Sequence, residues 1–324
     1  MKTTHRFYML LLTASLGIGA ALAQTPAFPS RAISLVVPNP PGGLVDTSAR
    51  LVADPLSRLI GQSVVIDNKP GASGNLAYQT VARSAKDGHT LLISYSGYHV
   101  ANHILMDKVG WELRDLTPVG LITVATNVIA VHPSLPVNNL KEFIAYLKAN
   151  PGKVNYASQG NGSVSHIGTE IFKQQTGTDM VHVPYKGSGQ AIQDVLSGQV
   201  QVFMTTPPSV MGHVLAGKLK GLAVTGKIRH PQMPQVPTIA EAGLPGFSLE
   251  SWVALYAPSG TPPAVVQKLA ADVKRSMELP ETRQRGEQAG IEVRYLSPSD
   301  TTKLLDADIA SWTVAIKQAN IKLD

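Results

Sequence analysis

Short apolar runs rich in β-branched residues alternate with longer amphipathic stretches along most of the chain. The short runs predict buried strands, and the stretches with apolar residues every three or four positions predict helices. Predicted strands lie at 33–37, 64–66, 90–93, 119–124, 128–131, 154–157, 180–183, 200–204, 219–224 and 253–256. Predicted helices lie at 46–59, 76–85, 140–148, 163–175, 190–197, 208–216, 238–242, 262–277, 281–288 and 298–318. This alternation favours an α/β fold with largely parallel sheets.

The N-terminal segment departs from that pattern. Lys2 and Arg6 precede an apolar run that ends in Ala21-Leu22-Ala23, the small-x-small sequence that a signal peptidase cleaves. The run is shorter than the ~20 residues that a membrane-spanning helix needs. We therefore expect residues 1–23 to be a signal peptide, the mature chain to begin near Gln24, and the protein to be exported to the periplasm.

Composition and charge exclude several classes of function. The sequence contains no cysteine, which excludes disulfides, thiolate metal sites and cysteine nucleophiles. The formal net charge is +6, but lysine and arginine are scattered along the chain, whereas nucleic-acid-binding proteins concentrate them on one face. We expect no nucleic-acid partner, no cofactor and no metal, and a weak preference for anionic solutes.

Three glycine-bearing loops connect a predicted strand to a predicted helix. Glycine allows the backbone to approach a ligand closely, and the free N–H groups of a first helical turn favour negative charge. Because the loops are spread over both halves of the chain, we expect their helix N-termini to face one another across a cleft that binds an anion. The loops lie at residues 38–46, 156–166 and 184–189.

The segment Ser94–His99 is a fourth candidate wall of this cleft. Its Tyr95 and Tyr98 could stack on a flat ligand or clamp an aliphatic one, although most tyrosines are half-buried packing residues. In the first loop, Asp46 is placed to cap the following helix. The predicted ligand-binding residues are Pro41, Gly42, Gly43, Asp46, Ser96, Tyr98, Ser158, Gly162, Ser163, His166, Tyr185 and Thr205.

An ordered set of motifs makes the chain resemble the Bug family, the TctC-type periplasmic receptors of tripartite tricarboxylate transporters. Each motif alone is unspecific, but the set is specific and covers essentially the whole predicted mature chain. The matching stretches are Val37–Arg50, Asn68–Asn75, Ala85–Leu92, Tyr156–Ser163, His182–Gly187, Val236–Phe247 and Ala257–Pro262.

The resemblance implies a two-lobed, type II periplasmic-binding-protein fold of the Venus-flytrap kind, with two segments crossing between the lobes. Lobe 1 is expected at 24–124 and 248–324, and lobe 2 at 125–247. The resemblance also implies that loops 40–46 and 158–166 hold a ligand carboxylate through backbone amides, small side chains and ordered water. It further implies a monomeric receptor that catalyses no reaction and docks on the membrane subunits of a transporter.

Two departures from the family pattern bear on the ligand. Met204–Ser209 stands where many relatives have an Asp-Asn pair, which removes a partner for a ligand ammonium and disfavours an amino acid. Tyr95 and Tyr98 stand where relatives often carry threonines, and two rings favour a flat ligand body. We therefore predict an aromatic carboxylate of the benzoate or phthalate type. The alternative is an aliphatic dicarboxylate received on behalf of a membrane sensor kinase.

Enzymes of two classes are the first rivals. A secreted hydrolase is disfavoured because no G-x-S-x-G motif occurs, and Ser163 near His166 suits a helix cap. A nucleotide hydrolase is disfavoured because Gly221–Ile228 only approaches a phosphate loop, with Ile228 at the position where Ser or Thr binds magnesium.

Two further rivals concern metal and DNA. His99, His103 and Asp107 are spaced four apart, so a metal site would require one helix to carry all three residues. Gly97 and the Val109-Gly110 pair argue against such a helix. A transcription regulator of the same fold would need a helix-turn-helix, but the N-terminus has the pattern of a signal peptide.

Overall fold

The computed structural model describes residues 28–322, so the predicted signal peptide and its cleavage site lie outside the described residues. The strands are β1 (Ile33–Val37), β2 (Val64–Asn68), β3 (Thr90–Tyr95), β4 (Leu116–Thr126), β5 (Val128–Val131), β6 (Asn155–Ser158), β7 (Val181–Pro184), β8 (Val202–Thr205), β9 (Lys220–Val224), β10 (Glu250–Pro258) and β11 (Glu292–Leu296).

The helices occupy most of the intervening segments. They are α1 (Leu44–Ile60), α2 (Asn75–Ala82), α3 (Ser96–Leu105), α4 (Leu140–Ala149), α5 (Val164–Thr176), α6 (Ser188–Leu196), α7 (Pro207–Leu215), α8 (Pro263–Glu278), α9 (Pro280–Gln288) and α10 (Pro298–Gln318). None of the helices between residues 28 and 322 is long and apolar enough to cross a membrane.

The strands form two sheets, one in each lobe. The first has the order β11-β4-β10-β3-β1-β2 and the second has the order β7-β6-β8-β5-β9. The predicted α/β fold is confirmed, but the sheets are mixed in direction rather than largely parallel. β1 runs parallel to β2 and β3, and β6 to β7 and β8, whereas β10, β11 and β5 pair antiparallel. The difference arises because β5 and β10 enter their sheets from extended interlobe crossings, without the helical crossover that parallel neighbours require.

The two crossings are bonded to each other. β4 passes to β5 through Asn127, and the second crossing enters β10 at Leu249. The Thr225 N–H donates to the Asn127 carbonyl at 2.8 Å, and the Asn127 N–H donates to Thr225 Oγ1 at 2.8 Å. Thr225 Oγ1 donates in turn to the Leu249 carbonyl at 2.5 Å. The two crossings together form the hinge, and these bonds make it one hydrogen-bonded unit. The predicted lobe boundaries at 124/125 and 247/248 stay a proposal.

Three elements differ from the sequence-based expectation. Helix α3 follows β3 directly, with Tyr95 as its N-cap, in a segment where no helix was predicted. Strand β11 was not predicted, and it pairs with β4 as an edge strand. The predicted helix at 238–242 is wrong. Thr238 and Glu241 cap a single turn, and Gly243, with φ at +101°, ends it.

The helices that begin at the predicted loops are anchored by apolar faces. Helix α1 buries Leu44, Val52 and Leu56, and α5 and α6 bury apolar residues at the same three- or four-residue spacing. Each such side chain contributes about 1.5–3 kcal/mol when fully buried. This packing fixes the helix N-termini relative to their sheets.

His99 is a core residue rather than a metal ligand. It is fully buried, its Nδ1 lies 2.6 Å from Ser94 Oγ, and its ring packs against Tyr78, Trp111 and Tyr256. Burial, with a smaller effect from His103, lowers the pKa of His99 to about 3. Asp107 lies beyond the end of α3, and no group of three potential metal-ligating side chains occurs between residues 28 and 322.

His99 should make the protein sensitive to acid. The folded-state pKa lies below the ordinary histidine value of 6.5, so the unfolded chain binds more protons between these two values, and stability is lost as the pH falls below 6.5. We expect His99→Gln to reduce the slope of unfolding free energy against pH by up to about 1.4 kcal/mol per pH unit. Urea unfolding between pH 4 and 7 would measure it. An unchanged slope would show that His99 does not carry this sensitivity.

Candidate ligand-binding site

A cleft of about 710 Å³ lies between the two lobes. The parallel pairs β1/β2 and β6/β7 end at its walls, so the loops at their carboxyl ends meet there. Lobe 1 contributes Pro38, Pro40, Pro41, Tyr98 and the segment Pro70–Gly74. Lobe 2 contributes Gln159, Gly160, Asn161, Pro184, Tyr185, Lys186, Gly187, Gly189 and Gln190.

Asp46 holds the β1–α1 loop in place and does not line the cleft. It is the third residue of α1, and its Oδ2 accepts from the Gly42 N–H at 3.1 Å and from Arg50 Nε at 2.9 Å. Asn68 donates to its other oxygen at 3.1 Å. The expectation that Asp46 would be the helix cap is therefore wrong, since Gly43 is the N-cap and Asp46 reaches back beyond it.

The environment of Asp46 keeps its carboxylate ionised. Burial alone would raise the pKa of Asp46, but the hydrogen bonds from Arg50, Gly42 and Asn68 outweigh it and hold the pKa below the ordinary value. Because Arg50 neutralises this charge, the carboxylate does not oppose an anion on the other side of the loop.

The β6–α5 loop is organised by its own hydroxyl groups. Ser163 caps α5 by accepting from the His166 N–H, and it donates to the Gly160 carbonyl at 2.6 Å. Ser158 Oγ accepts from the Gly160 N–H at 3.1 Å and lies 2.7 Å from His182 Nε2.

Three of the amides expected to be ligand donors, those of Gly160, Gly162 and Ser163, are therefore engaged within the loop. The Gly162 N–H donates to His166 Nδ1 at 3.3 Å, and the Ser163 N–H donates to the Gly160 carbonyl at 3.1 Å. The residues of this loop that line the cleft are Gln159, Gly160 and Asn161, and they present their surface to it rather than a row of free N–H groups.

The two tyrosines of lobe 1 bond directly to lobe 2. Tyr95 OH donates to Gln159 Oε1 at 3.3 Å and accepts from the Val164 N–H at 3.2 Å. Tyr98 OH donates to the Gln159 carbonyl at 3.1 Å. Both rings are buried and pack edge to face, with centroids 5.3 Å apart, and only Tyr98 reaches the cleft. Burial raises the pKa of Tyr98 to about 12, so it remains a donor at neutral pH.

Glycines allow the lobes to approach this closely. A Cβ added to Gly43 would lie 2.5 Å from Ser188 Oγ of lobe 2, and one added to Gly162 would lie 2.9 Å from Asn102 Oδ1 of lobe 1. Both glycines also have φ near +80°, at +83° and +75°, which disfavours any side chain. The close approach predicted for these glycines is thus made to the facing lobe.

The structure divides the twelve predicted residues into three groups. The lining of the cleft contains Pro41, Tyr98 and Tyr185. The contact between the lobes contains Gly43 and Gly162, whereas Thr205 supports Gln159 within lobe 2, where its hydroxyl accepts from Gln159 Nε2 at 3.3 Å. The supports of the loops are Gly42, Asp46, Ser96, which accepts from the Trp252 N–H at 3.2 Å, Ser158, Ser163 and His166.

Most lining residues were not among those predicted, and two of them, Lys186 and Gln159, have polar side chains that bear on the chemistry of the cleft. Lys186 is exposed and is the only Lys, Arg, Asp or Glu among the lining residues of the described chain. It stands in the Pro184–Gly189 loop, so its position beside a strand end was the available signal. Gln159 stands in the β6–α5 loop, and nothing in a single glutamine distinguishes it from its neighbours before the lobes are brought together.

Two lobes that enclose a cleft of small-molecule size define the class of bilobed solute-binding proteins. Residues 48–321 match the family described as Tripartite tricarboxylate transporter family receptor, TctC, and the chain belongs to this family. Protein BugT of Bordetella pertussis (strain Tohama I) is 34% identical over 315 residues, which cover 97% of this chain and 96% of that protein. The predicted membership of the Bug family is confirmed.

Solved structures agree with this assignment. Rpa4515 of R. palustris, solved with adipate, has a TM-score of 0.89 and 37% identity, and the match covers 92% of this chain and 100% of that chain. MatC (Rpa3494) of Rhodopseudomonas palustris, solved with bound malate, has a TM-score of 0.84 and 34% identity over 89% of this chain and 100% of that chain. The periplasmic binding protein BugD has a TM-score of 0.87 and 31% identity, covering 92% and 100%. The predicted periplasmic-binding-protein fold is confirmed.

The contact of Gly43 with lobe 2 can be tested by an alanine pair. Gly43→Ala should hinder closure because the new Cβ would meet Ser188 Oγ. Gly61→Ala is the control, since Gly61 also has a positive φ, at +68°, but a Cβ there would meet nothing within 4 Å. We expect a larger radius of gyration by X-ray scattering for the first variant only. Equal radii for both would exclude a steric role for Gly43 in closure.

Proposed function

We propose that this protein captures a small carboxylate in the interlobe cleft and delivers it to the membrane subunits of a tripartite tricarboxylate transporter. The observation that carries the proposal is the charge of the cleft, whose lining holds one lysine and no carboxylate among the described residues. We further propose export to the periplasm through cleavage of residues 1–23, a monomeric receptor, and no catalytic activity.

The electrostatics of the cleft favour an anion. Lys186 supplies a positive charge, and α6 begins at its side of the cleft with Gly187 as an N-cap that has no side-chain hydrogen bond. Helix α1 begins opposite, but its N-cap Gly43 packs against Ser188 and does not line the cleft. The N-terminus of α6 carries partial positive charge, so a carboxylate beside Lys186 is stabilised without a buried arginine.

We place an aliphatic dicarboxylate first among the ligand classes. The prediction of an aromatic acid rested on a pair of rings, but Tyr95 does not line the cleft, and one side of the Tyr98 ring packs against Gly74. Adipate and malate in the two similar structures support an aliphatic acid. An aromatic acid is the second candidate, because the rings of Tyr98 and Tyr185 and five prolines line the walls.

The candidate contacts follow from the lining. We propose that Lys186 and Asn161 bind the polar ends of the ligand, while Pro41, Tyr98 and Tyr185 contact its carbon skeleton. The Tyr185 hydroxyl donates to Asp194 Oδ2 at 2.6 Å, which fixes the orientation of its ring. The loop-supporting residues act by keeping these groups in place.

A thermal-shift screen of the purified mature protein tests the ligand class. Succinate, malate, adipate, benzoate and phthalate should be compared, since a ligand that binds only the folded state raises Tm by mass action. We expect the largest shift with an aliphatic dicarboxylate. A larger shift with phthalate would favour the aromatic candidate, and no shift with any carboxylate would exclude the proposed function.

The contribution of Lys186 can be measured separately. We expect Lys186→Met to weaken carboxylate binding by about tenfold, the effect of losing one charge-assisted hydrogen bond. Calorimetric titration would measure Kd, and Lys148→Met, on the exposed side of α4, is the matched control. Equal affinity of both variants would remove Lys186 from the site.

A further inference from the structure

Gln159 closes the inner end of the cleft. It lines the cleft on one side, and on the other it contacts Ser188 and Thr205, neither of which lines the cleft. Its Nε2 donates to Ser188 Oγ at 2.7 Å and to Thr205 Oγ1 at 3.3 Å, and its Oε1 accepts from Tyr95 OH. The residue is 8% exposed, so the carboxamide is buried, with both Nε2 hydrogens donated and Oε1 accepting one hydrogen bond.

The groups behind Gln159 form an inner hydroxyl cluster, defined as Ser188, Thr205 and Ser209, and Thr206 adjoins it in the sequence. Thr206 is 2% exposed, and its hydroxyl and that of Ser209 are buried without a hydrogen-bond partner among the described residues. Ser209 Oγ lies 3.6 Å from the position of a Cβ on Gly43, close to the N-cap of α1.

The backbone around the cluster is also rich in donors. Helices α1, α6 and α7 all begin here, and their N-caps, Gly43, Gly187 and Thr206, make no side-chain capping bond. Three helix N-termini and three hydroxyls form an environment that favours negative charge. The neutral carboxamide of Gln159 contacts these hydroxyls through its Nε2, which donates to Ser188 and Thr205, and it buries no charge.

We propose that the Gln159 carboxamide occupies a carboxylate-favouring pocket at the inner end of the cleft and thereby limits the length of the acids that the receptor accepts. This inference rests on the proposed function. The carboxamide is the inner boundary of the space open to a ligand in the cleft. While this side chain is there, a longer diacid cannot place its second carboxylate among the inner hydroxyls.

Shortening the side chain should lengthen the preferred ligand. In Gln159→Ala, the second carboxylate of a long diacid can accept from Ser188 and Thr205. We expect the affinity for suberate relative to succinate to rise about tenfold over the wild-type ratio, the effect of at least one charge-assisted hydrogen bond. Titration calorimetry with succinate, glutarate, adipate and suberate would measure the series. Gln193→Ala, at an exposed position on α6, should keep the wild-type ratio.

A second variant tests the pocket without any ligand, and is informative even if the alanine variant is unstable. In Gln159→Glu, the new carboxylate can accept from Tyr95, Ser188 and Thr205. We expect a higher Tm than that of Gln193→Glu at pH 7. The carboxyl pKa in the folded state should lie below its ordinary value, so this gain should disappear as the pH falls through that lower pKa. A lower Tm than the control at pH 7 would overturn the proposal.

The outcomes separate this inference from the proposed function. If the wild-type protein binds carboxylates and Gln159→Ala keeps the same order of preference, the length limit is excluded and the function stands. If the wild-type protein and all the variants bind no carboxylate, the proposed function fails first. A shift toward longer acids in Gln159→Ala, and not in Gln193→Ala, supports the inference.

Discussion

The hydrogen bonds between Tyr95, Tyr98 and Gln159 are the contact on which the arrangement of the lobes depends. They join the end of β3 and the start of α3 in lobe 1 to the β6–α5 loop in lobe 2. Because both hydroxyls are buried, separating the lobes would exchange these bonds for bonds to water. The net contribution of each is modest, about 0.5–1.5 kcal/mol, so the contact can hold a closed arrangement and still open. A receptor that must take up and release a solute requires such a balance.

Close packing around that contact depends on glycine. At Gly43 and Gly162 the backbone conformation and the proximity of the opposite lobe impose the same restriction, since a side chain would be strained and would also collide. Because these positions lack a side chain, the backbone at the start of α1 can contact Ser188, and the backbone of the β6–α5 loop can contact Asn102. The remaining polar residues of the loops, such as Asp46 and Ser163, then act at one remove by fixing the loop conformations.

The hinge is the complementary constraint on the lobes. Asn127, Thr225 and Leu249 tie the two crossings together, so the lobes are joined through one hydrogen-bonded unit. The antiparallel strands β5 and β10 follow from this construction, because each begins where an extended crossing arrives.

The sequence by itself determined the local structure and the family. Apolar periodicity placed almost every strand and helix, since period-two and period-3.6 patterns report which face is buried. The ordered glycine and proline motifs identified the receptor family and the loops that flank the cleft. Helix α3 was not predicted, because its Ser-Gly start resembles a loop. Tertiary packing turns that segment into a helix because Gly97 fits against the backbone of Gly162 and Val164.

Only the tertiary structure decided what each loop residue faces. Tyr95 and Tyr98 are the same type of residue at almost the same position in the chain. Yet Tyr95 is wholly engaged between the lobes, whereas Tyr98 lines the cleft. Gln159 acquires its role from Ser188, Thr205 and Tyr95, which are 29, 46 and 64 residues away in the sequence. Local patterns carry no information about such distant pairs, because the pairs form only when the elements of lobe 2 pack together and the two lobes meet.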